Sequence, residues 1–168
     1  MSSGDDDSTR NGFGAGLGGV KPLTGRDRNV IRPGRPAAGP RSESQPVSDP
    51  FVHPDPAQPR LAQRRSAPPD TAERLHTGSP KPDKRLDLHG TRADDAAEAT
   101  RHAIDTCVRS GDSLLLVIHG RGKHSGGHGV LREELPGWLE AHARVVAYAP
   151  ARGRDGGAGA TLVRLRTG

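Results

Sequence analysis

Proline limits how this chain can fold more than any other residue, and it is unevenly placed. Thirteen of the fifteen prolines lie in residues 1–83. Each one removes a backbone donor and pushes its predecessor toward an extended shape. Stretches such as Pro50-Phe51-Val52-His53-Pro54-Asp55-Pro56 therefore make residues 33–82 read as an extended linker. Residues 1–19 are mostly Gly, Asp, Ser and Asn, with too little apolar surface to offset chain entropy, and are expected to be disordered. A short island at residues 19–31 lies between the two. Residues 84–168 hold the one Trp (Trp138), the one Tyr (Tyr148), the one Cys (Cys107) and six of the eight His. The expected organisation is a disordered Pro/Gly/Arg-rich tail over 1–83 and a small domain over 84–168. That excludes a two-lobed enzyme and a nucleotide-binding domain of ordinary size.

Within the domain, Arg85-Leu86-Asp87-Leu88-His89-Gly90 alternates and stops at glycine, which predicts a strand. Thr91 is a candidate N-cap, with Asp94 and Asp95 in the first turn of a helix. Ala93, Ala96, Ala97, Thr100, Ile104, Cys107 and Val108 make its buried face. Leu114 to Ile118 is a continuous apolar run, expected as a central strand buried on both faces. Val130, Leu131, Leu135, Trp138 and Leu139 form a second helical face, with Pro136 starting a new turn after a short helix. Strands over residues 145–148 and 161–165 follow, separated by a Gly-rich loop. The order is β-α-β-α-β-β. The expected fold is therefore α/β: a two-layer βαβαββ sandwich, its four-stranded mixed sheet carrying both helices on one face, because right-handed crossovers put them there.

In open α/β sheets, ligands collect at the carboxyl ends of strands. Asp87 and His89 stand two apart at one such end and leave the same face. A carboxylate that orients an imidazole suits a general acid or base near neutral pH. The alternative is a strand-end His bonded to the backbone, with Asp87 capping a turn. The second strand ends in His119-Gly120-Arg121-Gly122. Glycines there let backbone N–H groups form an anion nest, and Arg121 adds a charged fork. The alternative is a tight turn with a solvated Arg. Lys123, His124 and His128 continue this basic loop; glycines between the two histidines break helical metal-ligand spacing, so no metal site is expected. Arg152, Arg154, Gly156, Gly157 and Gly159 make a second flexible basic loop, either a clamp for a nucleic-acid backbone or a long connection. Cys107 and Trp138 read as core.

Leu86-Asp87-Leu88-His89-Gly90, His119-Gly120-Arg121-Gly122 some thirty residues on, and Gly157-Ala158-Gly159 before the last strand together resemble the Smr (small MutS-related) domain. Val130-Leu131-Arg132 through Pro136-Gly137-Trp138-Leu139 resembles that family's second helix. The resemblance implies a fold like the C-terminal domain of translation initiation factor three. It also implies nucleic-acid endonuclease activity, associated in the family with DNA nicking and with mRNA cleavage at stalled or collided ribosomes. The family's functional motifs map onto Asp87, His89 and the His119–Gly122 loop. With the basic loops read above, catalysis is expected on Asp87, His89, His119 and Arg121, and nucleic-acid or phosphate binding on Gly120, Gly122, Lys123, Arg152, Arg154, Gly157 and Gly159. Gly19-Val20-Lys21-Pro22-Leu23 resembles a tail motif tied to ribosome contact, with Gly19 in place of an acid, so Val20, Pro22 and Leu23 are the candidate docking residues.

The expected partners are RNA first, DNA as the alternative, and the ribosome. A net charge of +5 carried mostly by arginine is compatible with a polyanion. RNA cleavage through the ribose 2′-hydroxyl needs no cofactor. DNA lacks that group and would call for a divalent ion that activates water. A non-catalytic nucleic-acid or ribosome-binding module is the alternative from another class. One cysteine cannot form an internal disulfide. The acidic start Met1-Ser2-Ser3-Gly4-Asp5-Asp6-Asp7 is unlike a secretory leader, and no apolar run is long enough to span a bilayer, so a cytoplasmic protein is expected.

Overall fold

The computed structural model describes residues 30–31, 49–121 and 129–168. Among them the order is β1 (Val30–Ile31), β2 (Phe51–Val52), β3 (Ala62–Arg64), α1 (Thr71–Gly78), β4 (Lys84–Asp87), α2 (Ala93–Ser110), β5 (Leu114–Ile118), α3 (Val130–Glu140), β6 (Val145–Pro150) and β7 (Ala160–Leu165). The strands form one sheet in the order β1-β4-β5-β7-β6-β3-β2. The β4–β5 and β1–β4 pairs are parallel, and the other pairs are antiparallel.

The middle of the sheet comes from β5. Five apolar residues in a row can only be accommodated where both faces are covered. Leu115 and Val117 face one cluster with Leu86, Leu88, Ala96, Ile104, Cys107, Leu135 and Leu139, where α2 and α3 pack. Leu114 and Leu116 face the other, with Leu61, Ala72, Leu75 and Leu162, where α1 packs. α2 ends at Gly111, whose φ of +77° lets its N–H return to the Cys107 and Val108 carbonyls. Cys107 is buried, and burial pushes its thiol up to about 11.

The structure corrects the expected architecture in several places. The sheet has seven strands among the described residues, not four, and α1 covers the face expected to be bare. Residues 49–83, read as linker, supply β2, β3 and α1, and Val30–Ile31 supplies β1. The prolines did not prevent this because they flank these elements: β2 lies between Pro50 and Pro54, β3 contains none, and Pro68 and Pro69 precede α1. Thr91 does not cap α2; Arg92 holds that position without a side-chain cap bond. Pro136 lies inside α3, which runs through it while Leu135 and Leu139 hold the helix in the core. No helix of the described residues is long and apolar enough to cross a membrane.

The outer strands are secured by Arg64, which is only 3% exposed. Its guanidinium donates to the Val145 carbonyl at 3.1 Å, to the Glu140 and His142 carbonyls at 3.0 Å each, and to the Asp49 carbonyl. It also lies 4.3 Å from the centre of the Phe51 ring. One side chain thus joins β2, the end of α3 and the start of β6. Replacement by methionine leaves these carbonyls without that donor. Arg64→Met is expected to lose about 3 kcal/mol in urea unfolding, the order of two hydrogen bonds to a charged group. Arg64→Lys should recover only part of it, because an ammonium cannot reproduce the fork.

Candidate active site

Because β4 and β5 are parallel and in register, Asp87 against Ile118, their carboxyl ends open side by side. The Leu88 N–H donates to the Ile118 carbonyl at 2.7 Å and carries the pairing one residue further. Asp87 then turns back on its own chain. Its Oδ1 accepts the His89 backbone N–H at 3.0 Å and pairs with the ring Nδ1 at 2.8 Å. Nδ1 therefore carries the proton, and Nε2 is left as the free acceptor. The His89 side chain is 78% exposed. The backbone and side-chain roles weighed from the sequence coexist: Asp87 makes a turn and orients the ring.

His119 is in a different setting. It is buried, its Nδ1 faces the Gly120 carbonyl at 3.0 Å, and its Nε2 faces the Thr161 hydroxyl at 3.2 Å. Nδ1 donates and Nε2 accepts from Thr161, so both ring nitrogens are used. Burial holds the ring below the usual histidine range, opposed by the bond to Gly120. His119 thus lies buried beneath the loop with both ring nitrogens engaged, while the sequence reading grouped it with the candidate catalytic residues. The reason is strand pairing: β5 pairs with β7 to its end, and His119 and Gly120 both donate to the Gly159 carbonyl at 3.0 Å.

Gly120 turns the chain with a φ of +77°, next to His89. Arg121 then lies across the loop that precedes β7. A methyl group at Gly159 would come within 3.2 Å of the Arg121 Cγ and 3.3 Å of the Gly120 backbone carbon, so the absence of a side chain sets this approach. Gly157 lies beneath the end of the same arginine. The structure thus gathers Asp87, His89, Gly120, Arg121, Gly157 and Gly159 at one strand-end surface.

Other expected members are placed differently. Arg154 donates to the Ser79 carbonyl at 2.7 Å and contacts Asp155, which also accepts from the Ser79 hydroxyl and pairs with Arg85 at 3.8 Å. It ties the loop to the end of α1. The Arg152 side chain is exposed, while its carbonyl accepts the Asp155 and Gly157 N–H groups. Gly122, Lys123, His124 and His128, and the docking candidates Val20, Pro22 and Leu23, lie outside the described residues. No group of three or more His, Cys, Asp or Glu able to hold a metal occurs among the described residues. The sequence reading missed Thr161, which lies 42 positions from the ring it engages. It also missed Arg85, whose position two before Asp87 put it on the same face.

Residues 86–166 match the family model of the Smr domain. The C-terminal half of the chain belongs to the Smr family. A ribosome rescue factor SmrB of Aliivibrio fischeri (strain MJ11) is 39% identical over 93 residues, which covers 55% of this chain and 50% of that protein. The chain thus spans about half the length of the first such relatives. A protein of the same name from Shewanella baltica is 29% identical over 175 residues, covering 100% of this chain and 97% of the relative. Among solved structures, YdaL of Escherichia coli, a stand-alone small MutS-related protein, has a TM-score of 0.54 at 23% identity, over 74% of this chain and 88% of that one, and shows the shared fold. The Smr domain of Thermus thermophilus MutS2 is 32% identical over 49% of this chain and 98% of that one, with a TM-score of 0.45.

The buried ring gives the Smr domain a pH dependence of known sign. A histidine whose folded pKa is depressed contributes stability that is full above about 6.5, its unfolded value, and is lost as pH falls through the folded pKa. His142, also lowered by burial and opposed by Asp105, acts in the same direction. Urea midpoints should therefore fall as pH drops from neutral toward 5, and less steeply in His119→Asn. An equal slope in that variant would refute the assignment.

Proposed function

We propose that the chain is an endonuclease that cleaves RNA, acting on mRNA at stalled or collided ribosomes. The observation that carries this reading is the His89 imidazole, turned by Asp87 so that Nε2 faces solvent, beside the strand end that bears Arg121. The name carried by the relatives, ribosome rescue factor, supports the ribosomal setting.

In this mechanism His89 Nε2 accepts the proton of a ribose 2′-hydroxyl. The 2′-oxygen attacks the adjacent phosphorus, the bond to the 5′-oxygen breaks, and that oxygen takes a proton from solvent or from the newly protonated His89. The products are a 2′,3′-cyclic phosphate and a free 5′-hydroxyl. Arg121, with loop N–H groups, stabilises the charge that develops on the phosphate. Asp87 does not touch substrate and acts by holding the ring. No cofactor enters this route. A second reading, a binding module without turnover, is favoured by the His119 ring, whose engagement leaves His89 as the exposed proton carrier at this strand end.

Incubation of the protein with end-labelled RNA and matched DNA, with and without EDTA, and with stalled ribosomes, tests the proposal. RNA cleavage that survives EDTA and falls about 10²–10⁴-fold in His89→Ala is expected. Asp87→Asn should lower kcat while leaving KM near its original value. A gel shift without cleavage in every condition would instead establish the binding module.

A further inference from the structure

Arg74 and Arg164 line a cavity of about 380 Å³ beside α1, together with Pro68, Leu75, Pro80 and Val146. The volume is at the small end of the range for ligand pockets. Both arginines are exposed, and neither pairs with an acidic side chain among the described residues. Cations at the mouth and an apolar wall suit a nucleotide: a base against Leu75, Val146 and the prolines, a phosphate on the guanidinium groups. Arginine planes also stack on bases.

The position of the cavity supports this occupant. Leu86 and Leu88 point into the α2–α3 core, so Asp87 between them faces the α1 side. Ala160 and Leu162 belong to the α1-side cluster, and Arg164 follows them in alternation on β7. Asp87 and Arg164 therefore leave one face of the sheet, toward opposite ends of β5. Arg164 is four residues from Ala160, or about 13 Å along the strand, and pairs with Leu114 at the amino end of β5, whereas Ala160 pairs with Ile118 at the carboxyl end. Pro80 lines the cavity, and the carbonyl of its neighbour Ser79 accepts from Arg154 of the loop next to Arg121.

We infer that this cavity is a second subsite for single-stranded RNA, which holds a nucleotide several positions from the scissile phosphate. The inference rests on the RNA reading proposed above. It assigns the site to substrate grip rather than to chemistry.

The test uses the full chain in a His89→Ala background, so that RNA is bound and not cut. Fluorescence anisotropy compares a dodecamer RNA with a dinucleotide, for the Arg74→Ala/Arg164→Ala pair and for Val146→Trp, which fills the cavity. Melting midpoints confirm that each variant is folded; a variant that does not fold is replaced by Arg164→Glu. Both changes are expected to weaken dodecamer binding about tenfold and to leave dinucleotide binding unchanged. The double arginine variant should also show a salt slope shallower by about 0.7 for each phosphate it no longer neutralises. Unchanged dodecamer affinity, or an equal loss with the dinucleotide, would overturn the subsite. So would displacement of the dodecamer by inorganic phosphate as readily as by 5′-AMP, which would show an anion patch without a base site. If the subsite variants lose dodecamer affinity while the parent chain cleaves no RNA, the subsite stands and the nuclease reading falls.

Discussion

The Gly159 carbonyl accepts two N–H groups, from His119 and from Gly120, and much of the site depends on that shared acceptor. It extends the β5–β7 pairing past the last apolar residue and fixes where the chain leaves the sheet. The His119 ring is thereby kept under cover, and Arg121 is delivered over glycines that leave room for it. The other half of the site depends on the parallel pairing of β4 with β5, which brings Asp87 and His89 to the same end. Parallel neighbours require a long crossover, which α2 supplies. The capped turn at Gly111 and the buried stripe of α2 are thus part of what sets the spacing between the Asp87–His89 pair and an arginine that lie far apart in the chain.

Much of this was legible before any coordinates. The unbroken Leu114–Ile118 run reads as a covered strand, and the spacing of Ala96, Thr100, Ile104 and Cys107 reads as one helix face. Asp87 and His89, two apart before a glycine, stood out as a candidate pair, with a turn cap as the alternative. The hidden part involved partners distant in sequence. Nothing local to His119 tells that Thr161 will occupy its Nε2, because that depends on the register between β5 and β7. The same holds for Arg154, whose attachment to Ser79 needs α1 to be present at all.

The misreading of residues 49–83 has a specific physical origin. Composition averages over a window, while strand and helix formation depend on where the prolines fall. Two or three proline-free residues are enough for an edge strand when a formed sheet waits beside them. β3 adds to β6, and β2 adds to β3, as short pieces that would not hold alone. Their hold comes from Arg64, a residue that in sequence looks like one more solvated charge of the tail. Its burial is possible because backbone carbonyls satisfy its donors. The Smr fold at the centre is thereby widened at both edges by the segment that precedes it, with β3 and β2 beyond β6 and β1 beyond β4.

The placement of Cys107 has a practical side. It is the chain's one cysteine; it faces the interior from α2 and keeps its proton well above neutral pH. Alkylating and maleimide reagents attack thiolates they can reach, so the native sulfur is silent toward them. A cysteine introduced on the exposed face of α2 or α3 would be the reactive thiol. A fluorophore or spin label could then be attached at a chosen point without first removing the natural residue and the packing it provides.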